Sequence, residues 1–171
     1  MTRVKAVSKI LYYLSKVLAL GYLVTTAYAI ICLLANWNIA AYGDGQYLHI
    51  FYPFTRQPFL NIEYHPSYII FSFLVPLVLY SIFFQLASGV FKVFFQPKLF
   101  LLHHITQLRR FYLLNSIAPG IAALCATVFV SVQQAVWVLV MVHLFLGVFT
   151  WFMAVIFKQG LRLQNEQDLF I

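Results

Sequence analysis

The chain has 171 residues, of which 63% are hydrophobic and only 9% charged, against about 45–50% and about 25% in an ordinary soluble domain. So few charged side chains cannot cover the outside of a soluble fold of this size, and 7 Gly, 6 Pro and 2 Cys set aside collagenous, disordered and disulfide-stapled chains. The composition leaves an integral membrane protein, and its net charge of +7 becomes a question of which side of the bilayer holds the positive residues.

Residues Met1 to Lys16 read as a helix along the inner surface. Lys5, Lys9 and Lys16 share one arc, with Val4, Val7, Leu11, Leu14 and Leu18 opposite. The segment is either a surface-sensing or partner-binding arm or, the preferred reading, a cytoplasmic extension of the first span. That span covers residues 17–36, because a helix crossing a ~30 Å hydrocarbon core needs about 20 apolar residues. Ala27-Tyr28-Ala29 resembles a signal-peptidase site, but the apolar run continues through Ile30 to Leu34 and suits a full crossing.

Residues Trp37 to His65 form the sizeable outer segment. Gly43-Asp44-Gly45 is a turn signal. The aromatic and β-branched runs Gln46 to Tyr52 and Phe59 to Tyr64 then predict a short β-hairpin over the mouth of the helices. The many aromatics here are read as an interfacial belt in preference to a ligand grip.

The second span covers residues 67–90, and a basic inner connection follows from Phe91 to Arg110. Leu101, Leu102, Ile105 and Leu108 predict a short in-plane helix leading into the third span. His103 and His104 on it point about 100° apart, a poor metal pair on a helix. The third span is 111–131 and the fourth 135–157, since no Lys, Arg, Asp or Glu lies between Arg110 and Lys158. Ser131-Val132-Gln133-Gln134 divides them as a tight hairpin. The expected fold is therefore an all-α integral membrane four-helix bundle in one domain, 1–171.

Ten of the eleven basic residues fall on one side of this topology, with Arg56 alone on the other beside Asp44 and Glu63. Positive charge marks the cytoplasmic side, so both termini are expected inside. The same charge anchors the topology and attracts anionic lipid head groups. A nucleic-acid reading would need a basic folded domain outside the membrane, and no segment is large enough.

Inside the spans the chemistry is sparse. No acidic residue lies at bilayer depth, which removes the usual carriers of protons and cations. His143 is the one ionisable residue clearly within a span, either a proton-sensitive or haem-binding group or, as preferred, a neutral imidazole hydrogen-bonded across the bundle to Asn115, Thr127 or Gln133. His65 at the outer mouth is the least remote second histidine for a haem. Cys32 and Cys125 read as small packing residues. No CxxC, HExxH, phosphate loop or Ser-His-Asp set occurs, so neither catalytic residues nor a cofactor nor a metal is expected. Pro76 and Pro119-Gly120 predict fixed bends, with a transporter-like hinge as the rival. Ser116, Ala118, Gly120, Ala122 and Ala126 place small residues along the third span for close helix contact. The tail continues as helix, with Lys158, Arg162 and Glu166 four apart and an Arg162–Glu166 pair along one face. Gly160 weakens it, and apolar Leu169-Phe170-Ile171 is available to fold back or engage a partner.

The tail reads Phe157-Lys158-Gln159-Gly160-Leu161-Arg162-Leu163-Gln164-Asn165-Glu166-Gln167-Asp168-Leu169. With four spans and a basic inner connection, it resembles the end block of an uncharacterised family of small bacterial membrane proteins (domain of unknown function, DUF 2975). The inner connection departs from that family's Pro-Phe and acidic pattern, reading Pro97-Lys98-Leu99-Phe100 and then His103-His104. The resemblance implies a bacterial inner-membrane location and a regulatory or interaction role beside a small helix-turn-helix regulator. The polar residues of the tail on the cytoplasmic side, Lys158, Gly160, Arg162, Gln164, Glu166, Asp168 and Leu169, are the expected partner-binding residues. A small transporter or channel, or an accessory subunit of a larger membrane complex, is the alternative.

Overall fold

A computed structural model describes residues 2–168. Four long helices dominate it, α1 (Thr2–Ala35), α2 (Pro66–Val93), α3 (Leu102–Phe129) and α4 (Gln134–Asp168). All four are long and apolar enough to cross a membrane. Each covers the span expected of it, although α1 ends at Ala35, before Asn36, and α3 at Phe129, before Ser131. Helices pair in chain order, α1 against α2, α2 against α3 and α3 against α4. Both ends of the chain and the α2–α3 connection thus lie on one side, and the segment after α1 lies on the other.

The packing is inside-out relative to a soluble bundle. Small or polar residues face the neighbouring helices: Ala19, Thr26 and Ala29 on α1, Ala123 and Ala126 on α3, Thr150 and Ala154 on α4. Large apolar residues such as Leu34, Val128 and Phe145 face outward, each at least three-quarters exposed. Between helices surrounded by lipid, close van der Waals approach replaces the hydrophobic drive, and small residues allow it. The hydroxyls of Thr26 and Thr150 donate to the carbonyls of Tyr22 and Leu146, four residues earlier, so neither needs water.

Gly147 marks the tightest approach. A Cβ there would run into Ser116 Oγ and lie 3.1 Å from the Ser116 nitrogen and 3.2 Å from the Tyr112 carbonyl oxygen. The small-residue row of the third span thus meets its partner at Ser116. A Cβ at Gly120 in the same row would meet nothing within 4 Å.

Helix α1 runs without a break from Thr2 to Ala35. The preferred reading of the N-terminal segment, an extension of the first span, holds over the described residues 2–16. Lys16 shows where that extension starts, since its Nζ donates to Gln85 Oε1 at 3.1 Å. Lys16 lies nineteen residues before Ala35, and Gln85 nineteen after Pro66. Both are therefore about 28 Å from the sheet-side helix ends, close to the ~30 Å of hydrocarbon. Beyond this level Tyr12 packs edge-on against Phe95 at 5.6 Å. Val4, Val7 and Leu14 stay more than half exposed, whereas Leu11 and Leu18 on the same stripe are half-buried.

The in-plane helix before the third span is replaced by direct continuation, because α3 starts at Leu102 and runs unbroken to Phe129. The preceding residues instead cross the helix ends. His104 Nδ1 meets the Leu99 carbonyl oxygen at 2.7 Å, and Phe100 packs edge-on against Phe157 at 5.4 Å. Val93, Leu108, Ala154 and Phe157 form the buried cluster beneath.

On the opposite side the hairpin is present as β2 (Tyr47–Phe51) and β3 (Pro58–Glu63), with a third antiparallel strand, β1 (Ile39–Tyr42), joined to β2 through Gly43-Asp44-Gly45. All three turn residues have positive φ, 59°, 54° and 80°, which Gly and Asp tolerate. The sheet's buried residues Leu48, Ile50 and Ile62 pack on Ala29 and Cys32 of α1. Its aromatics mostly pack on one another, as in the stacked Tyr42 and His49 at 3.6 Å.

Candidate functional site

Helices α2, α3 and α4 line a partly open cavity of about 320 Å³ that reaches from the Ser131–Gln133 linker down to His143. Its walls are mainly aliphatic and aromatic, with Pro76 and Pro119 both on them. The local sequence explains the room. Six residues ahead of Val75, Ile69–Leu74, are wound as a π-helix, a wider turn often found at functional positions. Pro76 cannot supply an N–H to the Ser72 carbonyl, nor Pro119 to that of Asn115, each four residues earlier.

The floor is a polar pair. Asn115 is buried, and its Nδ2 donates to the Phe111 carbonyl oxygen at 2.8 Å. That fixes the amide so that Oδ1 faces His143 Nδ1, 2.7 Å away. An amide oxygen only accepts, so Nδ1 carries the proton and Nε2 is left as an acceptor. Phe83 stands edge-on to the imidazole at 5.2 Å and Tyr80 is tilted at 6.0 Å. Of the three partners considered for His143, Asn115 makes the bond. Thr127 donates instead to the Leu124 carbonyl, and Gln133 sits at the cavity's other end. His65 is exposed at the start of α2 and does not line the cavity.

The tail block separates into two faces. Phe157 is buried in the terminal-side cluster, and Gly160 forms the notch that receives the Phe100 ring, where a Cβ would lie 2.6 Å from the ring edge. These two residues thus have an internal role, holding the α2–α3 connection. Lys158, Leu161, Arg162, Asn165 and Glu166 face a shallow groove between α3 and α4, with Arg109, Leu102 and Trp151 on its other walls. Arg162 Nε donates to Glu166 Oε1 at 2.8 Å with both side chains exposed, the pair expected from the spacing. Gln164 is half-buried. Asp168 closes α4, its side chain outside the described set, and Leu169 to Ile171 lie outside the described residues.

Cys32 and Cys125 are both free, the first buried and the second exposed on α3. Cys32 packs as expected; Cys125 faces outward rather than into the helices. The sequence reading missed Asn38. Its Nδ2 donates to the Tyr28 hydroxyl at 2.7 Å and to the Phe51 carbonyl at 3.0 Å, and the Tyr28 hydroxyl donates to the same carbonyl at 2.7 Å. This cluster ties the sheet to α1. An Asn three residues past a helix end was its one available signal. No family model, no curated protein and no solved structure matches this chain.

Proposed function

We propose that the chain is a non-enzymatic, four-span bundle protein of the bacterial inner membrane. Its termini are cytoplasmic, and it acts by binding a protein partner on its basic cytoplasmic face. The observation that carries this reading is the groove between α3 and α4. Arg109, Lys158 and Arg162 line it beside Leu102, Leu161 and Trp151, with Glu166 the one acid among them. Basic groups flanking exposed apolar side chains suit an amphipathic helix with acidic flanks. A small helix-turn-helix regulator, as the tail's family resemblance implies, or a subunit of a larger membrane complex would supply one. Because Phe157 and Gly160 are occupied internally, the contact falls to Lys158, Arg162, Gln164, Glu166 and the residues after them.

The test is pull-down from native membranes with mass spectrometry, comparing the full chain with the Lys158→Glu/Arg162→Glu double variant and with a deletion of Leu161 to Ile171. Loss of the same partners from both variants supports the role; recovery of every partner unchanged contradicts it. The cavity beside the two proline-bearing spans favours a second reading, a small transporter. Reconstituted protein that moves no ion or small solute would remove it.

A further inference from the structure

We propose that the cavity between α2, α3 and α4 binds an uncharged, mostly apolar molecule that leads with a hydroxyl group, and that His143 Nε2 accepts the hydroxyl proton. The inference is independent of the cytoplasmic interaction role. Three features define the ligand.

The first is the polarity of the floor. Asn115 orients the imidazole and takes its only N–H, so Nε2 offers a lone pair. Among the described residues Nε2 has no partner, and no side-chain nitrogen or oxygen is both sealed from its surroundings and unbonded. Nε2 is therefore not sealed, and His143 lines the cavity. Pro119 withholds the usual N–H from the Asn115 carbonyl, and Pro76 from that of Ser72; both residues are on the wall. The side-chain acceptor calls for a ligand that brings the donor. A ketone, quinone or ether, which only accepts, finds no complement at Nε2.

The second is charge. None of the chain's acidic residues, and none of its Lys or Arg, lines the cavity. An ion at this depth would be unbalanced, so the ligand is neutral.

The third is shape. His143 is nine residues into α4 from Gln134, about 14 Å below the linker. The volume of about 320 Å³ sits at the lower end of the ~300–1,000 Å³ usual for small-molecule sites. Aromatic rings flank the imidazole, and Ser131 and Gln133 return polarity at the mouth. A phenol carrying an alkyl chain fits this sequence of ring-lined floor, aliphatic walls and polar rim.

The experiment uses the full chain in lipid nanodiscs titrated with 4-hexylphenol and with its methyl ether, 4-hexylanisole, followed calorimetrically. Saturable phenol binding with the ether about tenfold weaker is expected, because the ether leaves Nε2 unpaired. His143→Leu should erase the preference while keeping ether binding, and His143→Gln, which retains an acceptor, should keep part of it. Ala122→Phe, filling the wall from α3, should abolish binding of both. The proposal is overturned if neither compound binds saturably, if both bind the wild type equally, or if Ala122→Phe leaves phenol binding unchanged.

Discussion

At the scale of single residues, the molecule depends on where a side chain is missing as much as on where one is present. Gly147 lets α3 and α4 meet backbone to backbone at Ser116 and Tyr112, whereas Gly21 on α1 has nothing within 4 Å of a would-be Cβ. Gly147→Ala is expected to lower stability by about 1–3 kcal/mol, since the obstacles include backbone atoms that cannot rotate away. Gly21→Ala should be neutral or stabilising by about 0.5–1 kcal/mol, because alanine is the better helix former. Thermal unfolding of the two variants in detergent measures both, and equal effects would contradict the packing. The two positions look alike in the sequence, as glycines in apolar runs. What separates them is the neighbouring helix, which a single sequence does not display. His143 was legible for the opposite reason. A lone imidazole in an uncharged span must find a partner, and few polar residues were within reach.

The elements were legible wherever length and hydropathy decide them, and less so wherever contacts do. All four spans match the observed helices to within two residues at their ends, since ~20 apolar residues have few alternatives. The two runs flanking Thr55 to Pro58 do form a hairpin. The first strand escaped notice because Ile39-Ala40-Ala41-Tyr42 is short and alanine-rich. It forms because the helix before it ends cleanly. Asn36 adopts φ 51° and the Trp37 N–H donates to the Cys32 carbonyl at 3.0 Å, a Schellman-type stop. The continuous helices on the terminal side were less apparent, because an amphipathic pattern fits an in-plane helix and a straight extension equally well. There the α2–α3 connection is held by Phe100 in the Gly160 notch. Gly160→Val should displace it and raise protease cleavage within residues 94–101 several-fold, while Gln159→Val, at an exposed position, should not. Identical cleavage of the two variants would mean that the notch does not hold the connection.

At the scale of the whole molecule, two polar ends are separated by a body whose outer surface is apolar. The end holding both termini carries ten of the eleven basic residues and the long helical extensions. The other carries the sheet, Arg56, Asp44 and Glu63. Charge asymmetry of this kind sets orientation, and the proposed topology rests on it, with the groove on the cytoplasmic side and the sheet outside. The order in which helices pair could not be read in advance, since apolar residues on every face hide which face is shared. The most direct measurement is side-specific labelling in intact cells, with tags at both termini and a Phe54→Cys substitution in the exposed β2–β3 loop, made in a chain lacking Cys32 and Cys125. The account predicts that an impermeant reagent reaches the loop cysteine from outside while both tags stay protected until the membrane is opened. Tags on opposite faces, or a loop cysteine sharing the side of the termini, would contradict it.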